Sequence, residues 1–176
     1  MRYLKVTAQD RSAYGRADNL ILHFFEEIDG AEDRLVHEAY ALDNTADGKV
    51  DFQYGDVNND GKENIKDEEL INLFAEAFLQ LSWFNNGDTW DRYVKIYVED
   101  FAYDGSLDPV ELHFHDSSRR PSGRSLVSTA TVLDSLEGYM VDMVFGLDMD
   151  GDGDLDKVDK QLAWTLRSTF LRFNWR

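Results

Sequence analysis

Apolar and polar residues alternate along Tyr3-Leu4-Lys5-Val6 and through Leu22-His23-Phe24, the period of two that a strand with one buried face requires. The same pattern predicts eight strands, at 3–8, 20–26, 35–42, 49–54, 92–99, 110–115, 126–133 and 140–145. Turn formers punctuate them at Gly15, Ala46-Asp47-Gly48, Asp104-Gly105 and Leu136-Glu137-Gly138. The period then changes to that of a helix. Leu70, Phe74, Ala77, Phe78 and Leu81 fall on one face, as do Leu162, Leu166, Thr169, Phe170 and Phe173, which predicts helices over 67–84 and 159–174. These aromatic stripes are read as core packing, with Trp83 and Trp175, at equivalent helix ends, closing either the core or the joint between two halves of the chain.

The chain repeats itself. Arg2-Tyr3-Leu4-Lys5-Val6 returns as Arg92-Tyr93-Val94-Lys95-Ile96, and at this offset of 90 nine of the 25 positions from Arg2 to Glu26 are identical. The register continues at an offset of 91, where Leu35-Val36 meets Leu126-Val127. At an offset of 92, Asp56, Asp60, Gly61 and Asp67 meet Asp148, Asp152, Gly153 and Asp159. The repeat also decides an ambiguous segment: read alone, 125–145 passes for a helix, but its counterpart is rich in turn formers and alternates. The expected fold class is therefore α+β, a tandem duplication in which each half is an antiparallel four-stranded meander followed by an acidic loop and a covering helix. The expected units are 1–86 and 91–176, joined around Asn85-Asn86-Gly87-Asp88. Each alone has a thin core, so the halves are expected to pack together about a pseudo-twofold axis.

Between the fourth strand and the helix of each half lies a twelve-residue loop, 56–67 and 148–159. The first, Asp56-Val57-Asn58-Asn59-Asp60-Gly61-Lys62-Glu63-Asn64-Ile65-Lys66-Asp67, carries side-chain oxygens at positions 1, 3, 5, 9 and 12 and Gly at 6. A hard cation such as calcium takes six to eight oxygens at about 2.3–2.6 Å, so the chain must wrap once around it and turn oxygens inward. The glycine allows the tight turn, and the carbonyl at position 7 adds a backbone oxygen. The second loop, Asp148-Met149-Asp150-Gly151-Asp152-Gly153-Asp154-Leu155-Asp156-Lys157-Val158-Asp159, is richer in carboxylates and is expected to bind more tightly, with Leu155 packing inward. Two further stretches, 43–54 and 100–111, mimic the spacing but break it at Tyr54 and Ala102, and are read as acidic hairpin turns.

These loops resemble the EF-hand superfamily, and Gly55-Asp56-Val57-Asn58-Asn59-Asp60-Gly61-Lys62 with Asp67 looks like a dockerin repeat. The resemblance covers each loop and its following helix. It implies two calcium ions, one held by Asp56, Asn58, Asp60, Asn64, Asp67 and the Lys62 carbonyl. The other would be held by Asp148, Asp150, Asp152, Asp156, Asp159 and the Asp154 carbonyl. Two departures bear on partner recognition: the loops lie 92 residues apart, and the Ser/Thr pair of dockerins is replaced by Ile65-Lys66 and Lys157-Val158.

Composition narrows the function. Of 176 residues 43% are hydrophobic, enough for a core, while 35 acidic against 18 basic residues give a net charge of −17. That balance disfavours nucleic acid and anionic membranes as partners and favours cations or basic surfaces. No cysteine is present, which excludes thiolate chemistry. No run of about 18 apolar residues occurs, so no membrane insertion is expected and the chain reads as soluble, or as a mature form without its signal. His23 and His113 recur in both halves, but alternation turns them away from the buried neighbours, as surface or interface residues and not catalytic ones. The basic stretch Arg119-Arg120-Pro121-Ser122-Gly123-Arg124 reads as a solvated loop.

The resulting expectation is a non-catalytic calcium-binding structural or adhesive module, engaged with a protein partner or in self-assembly. Its expected setting is extracellular, on a cell surface or in a virion. The rival readings are a calcium-dependent enzyme or an accessory domain of one, and a dockerin-like docking module.

Overall fold

The computed structural model describes residues 1–84, 91–99, 109–119, 125–134, 141–143 and 147–175. Four strands, β1 (Arg2–Gln9), β2 (Asn19–Glu26), β3 (Arg34–Leu42) and β4 (Phe52–Tyr54), precede helix α1 (Ile65–Phe78). Four more, β5 (Arg92–Val98), β6 (Val110–Asp116), β7 (Leu126–Asp134) and β8 (Val141–Met143), precede helix α2 (Lys157–Arg172). All eight lie in one antiparallel sheet of order β4-β3-β2-β1-β5-β6-β7-β8. At its centre β1 pairs with β5 through Leu4↔Ile96, Lys5↔Lys95 and Val6↔Val94. The β2–β3 ladder slips at Phe24/Phe25 and the β6–β7 ladder at Phe114/His115.

This corrects the expected fold class. The chain is not an α+β pair of separate four-stranded meanders, each with its own helix; it is a mainly-β chain with one continuous sheet and, among the described residues, two helices. A separate half would leave the backbone donors and acceptors of β1 or β5 as an open edge beside the most buried apolar side chains of the sheet. Leu4, Val6, Val94 and Ile96 are all fully buried, so pairing β1 with β5 removes both edges and lets one apolar face run from β3 to β7. The segments just past the helices also reach across the midline. Trp175, just past α2, donates its indole N–H to the carbonyls of Tyr3 and Phe25 at 3.1 and 3.2 Å. Trp83, past α1, stands edge-on to Phe114 with ring centroids 5.7 Å apart.

The strand alternation survives in detail. Leu22 and Phe24 are buried on either side of half-buried His23, and Leu112 and Phe114 likewise flank His113. The helical stripe is buried too: Leu70, Phe74, Phe78, Leu162, Leu166 and Phe170 all join one core with the strands. Both helices begin two residues earlier than expected and end sooner, α1 at Phe78, with a separate 3-10 turn over Ser82–Phe84. On the sheet face away from this core, Lys95 Nζ lies 4.1 Å over the Tyr3 ring and Lys5 Nζ 4.5 Å over that of Tyr93. The turns at Asp104-Gly105 and 136–138, the junction 85–88, the basic stretch beyond Arg119, most of 100–111 and both ends of the 140–145 strand lie outside the described residues.

Candidate metal centre

Each loop is built around the carboxylate at its twelfth position. Asp67 is fully buried; its Oδ1 accepts the N–H of Val57 and of Asn58, both at 3.1 Å, and its Oδ2 accepts that of Asn64 at 3.0 Å. Asn64 in turn caps α1, accepting the Lys66 N–H at 3.0 Å. This is a reciprocal capping box, which satisfies backbone donors that the first turn of a helix cannot pair internally. One buried side chain thereby ties the start of the loop to the start of the helix. Asp159 does the same for the second loop, accepting from Met149 at 2.6 Å, Asp150 at 3.4 Å and Asp156 at 2.8 Å, while Asp156 caps Val158.

The first turn of each loop folds its acids inward by short backbone contacts. Asp56 Oδ2 accepts the Gly61 N–H at 2.8 Å, Asn58 Oδ1 that of Asp60 at 2.9 Å, and Asp60 Oδ1 that of Lys62 at 3.0 Å. In the second loop Asp148 accepts from Gly151 at 2.7 Å and Gly153 at 2.9 Å, Asp150 from Asp152 at 3.2 Å, and Asp152 from Asp154 at 2.8 Å. A hydrogen bond to one oxygen fixes the rotamer and leaves further lone pairs of the carboxylate free.

The result is a concentration of anionic oxygen. One carboxylate oxygen each from Asp148, Asp150 and Asp152 lie within 4.8 Å of one another. Two oxygens on opposite sides of an ion bound at about 2.3–2.6 Å are at most about 5.2 Å apart, so this spacing suits one hard cation. Loss of hydration, and then the charges of Asp152, Asp159 and Asp148, push the Asp150 carboxyl above the ordinary range. In the first loop Asp56 Oδ1 is buried and has no hydrogen-bond partner among the described residues. No lysine or arginine among the described residues forms an ion pair with any carboxylate of either loop. Clustered carboxylate oxygens with no lysine or arginine ion-paired to them among the described residues are the kind of donor set that calcium takes, and the residues present fit it.

The expected ligands are not equivalent. Asp56, Asn58 and Asp60, and Asp148, Asp150 and Asp152, stand at the mouth of their loops, while Asp67 and Asp159 are sealed behind them. Asn64 and Asp156 already spend one oxygen on the helix N-terminus. The Lys62 carbonyl accepts from Asn64 Nδ2 at 2.9 Å, an interaction that a cation at that carbonyl displaces or shares. Asp154, whose carbonyl is the expected ligand of the second loop, is exposed and donates its N–H to Asp152 Oδ1 at 2.8 Å. Leu155, expected to pack inward, is 55% exposed, and the residues that anchor the loops in the core are instead Val57 and Met149 at position 2.

The sequence marks Asn64, Asp67, Asp156 and Asp159 as ligands but their helix-capping role is an addition from the structure. The Asn64-x-x-Asp67 and Asp156-x-x-Asp159 spacings before an apolar run are capping-box patterns that could have been read. His37 carried no such signal. It stacks on Phe24 at 4.0 Å and lines a groove beside the first loop with Gly55, Asp56, Asn59 and Glu63, and burial lowers its pKa against the opposing pull of Asp56. The mimic stretch 43–54 folds as a hairpin turn, with Asp43 accepting the N–H groups of Asp47 and Gly48. His113 is engaged by the Tyr97 hydroxyl at 2.8 Å and lies 3.7 Å from Glu111.

No family model, curated protein or solved structure matches this chain. No helix among the described residues is long and apolar enough to cross a membrane.

Proposed function

We propose that this chain is a non-catalytic structural or adhesive module that binds two calcium ions, one in each of the loops 56–67 and 148–159. The observation that carries the reading is the convergence of Asp148, Asp150 and Asp152 within 4.8 Å, with no lysine or arginine among the described residues ion-paired to them. The buried Asp56 Oδ1, which has no hydrogen-bond partner among the described residues, supports it independently in the other loop. Bound calcium neutralises clustered carboxylates and supplies no redox or acid–base chemistry of its own here. The chain's contribution is positional: Asp67 and Asp159 hold the corner between β4 or β8 and the following helix, so that the loops brace the sheet against the helices. A net charge of −17 fits a calcium-rich setting such as a cell surface, a secreted assembly or a virus particle, with a protein partner or further copies of the chain.

Calorimetric titration of the chelator-treated chain with calcium tests the reading. Two ions are expected to bind, with Asp56→Ala and Asp148→Ala each removing one. Absence of binding at millimolar calcium overturns it.

A further inference from the structure

Each loop touches the end of the helix that begins at the other loop. Past the end of α1, the Ser82 N–H donates to the carbonyl of Met149, position 2 of the second loop, at 2.7 Å. Gly151, position 4 of that loop, lies so close that a Cβ placed on it would stand 2.6 Å from Ser82 Cβ. Past the end of α2, Asn174 donates its side-chain N–H to the carbonyl of Asn58 at 3.4 Å. Asn59, position 4 of the first loop, donates its own to the carbonyl of Phe173 at 2.9 Å. The circuit is closed: first loop, α1, second loop, α2, first loop. Between these ends the helices pack on each other, with Phe74 and Phe173 centroids 5.4 Å apart.

Position 4 is central to the argument. Asn59 and Gly151 supply no ligand in the proposed sets, yet both adopt a positive φ, +58° and +80°, and both are the residues that meet the opposite helix end. They sit between ligand positions 3 and 5. Ordering the ligands on either side therefore orders the residue that meets the far helix.

We propose that the two loops are coupled through these crossed helix ends, so that calcium in one raises the affinity of the other. The inference rests on the calcium reading above. An ion that fixes Asn58 and Asp60 also fixes the Asn58 carbonyl and the Asn59 amide, and with them the end of α2. The first turn of α2 carries Asp156 and Asp159, which organise the second loop. The reverse route runs from Met149 and Gly151 through Ser82 and α1 to Asn64 and Asp67. The sign is positive because ordering one loop lowers the ordering cost left to the other. Linkage makes the effect reciprocal, and coupling of this kind is typically at least about five-fold in affinity.

The test is calorimetric titration of the whole chelator-treated chain with calcium alone, comparing wild type, Asp56→Ala and the double variant Asn59→Gly/Asn174→Gly. Asn59 and Asn174 have φ of +58° and +54°, which glycine accepts, so the double variant deletes two side-chain bonds and leaves every proposed ligand in place. In wild type the second ion is expected to bind about five-fold or more tightly than an independent site. Asp56→Ala is expected to weaken the second loop by the same factor although none of its own residues has changed. The double variant is expected to bind two ions with the cooperativity reduced. Two independent sites in wild type, or a second loop indifferent to Asp56→Ala, overturn the coupling and leave the calcium reading standing. Failure of either loop of the wild-type chain to bind overturns both.

Discussion

The indole N–H of Trp175 donates to the carbonyl of Tyr3 at 3.1 Å, so the residue past α2 is pinned to the first strand, 172 positions away. The same N–H reaches the Phe25 carbonyl, and the Arg2 guanidinium covers the ring at 4.6 Å. Trp175→Phe retains an aromatic ring in a site that is 3% exposed but deletes the donor. It is expected to destabilise the fold by about 1–2 kcal/mol, seen as a lower urea midpoint with an unchanged slope. A variant as stable as wild type contradicts the pin.

Gly55 connects β4 to the first loop at φ +131°, and a Cβ there would lie 2.5 Å from Ala39 Cβ and 2.9 Å from its Cα. Gly48 also has a positive φ, +87°, but nothing within 4 Å of the same position. Gly55→Ala is expected to cost about 3 kcal/mol or more, since backbone strain and overpacking add, whereas Gly48→Ala carries the strain alone at about 1–2 kcal/mol. Thermal unfolding of the two variants checks the order.

The two kinds of loop aspartate predict opposite behaviour without calcium. Removing Asp159 strands the buried N–H of Met149 and leaves those of Asp150 and Asp156 without their acceptor, so Asp159→Ala is expected to destabilise the chelator-treated chain by about 2 kcal/mol or more. Asp150→Asn keeps an acceptor for Asp152 while deleting a charge beside Asp148 and Asp152, and is expected to leave that state equally or more stable. Unfolding in chelator measures both, and equal losses would contradict the division of roles.

The sequence was most legible where one side chain decides one local outcome. Alternation around His23 and His113 gave the buried face of β2 and β6, and the spacing of Phe74, Phe78 and Phe170 gave that of the helices. The convergence of Asp148, Asp150 and Asp152 was legible because spacing within one loop is local. Fold class was not, because periodicity tells which side of a strand is buried and is silent about what pairs with its edge. Nothing in Lys5 or Lys95 signals that they face each other across the middle of one sheet. Nor does an amphipathic helix declare over which strands its end lies; Asn59 and Asn174 look like ordinary turn residues until the two ends are seen together.

Acid should weaken the fold through its histidines. Burial first, then Lys95, His113 and Lys5, hold the His115 pKa down to about 4; its ring stacks on Tyr93 at 4.6 Å and its Nδ1 meets Ser125 Oγ at 3.0 Å. Burial lowers His23, His37 and His113 as well. An unfolded histidine takes up its proton near pH 6.5, so between about 6.5 and 4 the unfolded chain binds more protons and stability falls as pH falls. Urea unfolding at pH 7 and pH 5 is expected to show the loss, and NMR titration should place His115 well below its neighbours in an unstructured peptide. A His115 midpoint near 6.5 would contradict its burial.

The central claim is most directly tested by the melting temperature of the chelator-treated chain as calcium is raised to the millimolar range. Each site filled at a hundred times its Kd adds about 2.7 kcal/mol. The account predicts a melting temperature that climbs with calcium in wild type and no longer responds in the double variant Asp56→Ala/Asp148→Ala. A melting curve that millimolar calcium leaves unmoved would contradict it.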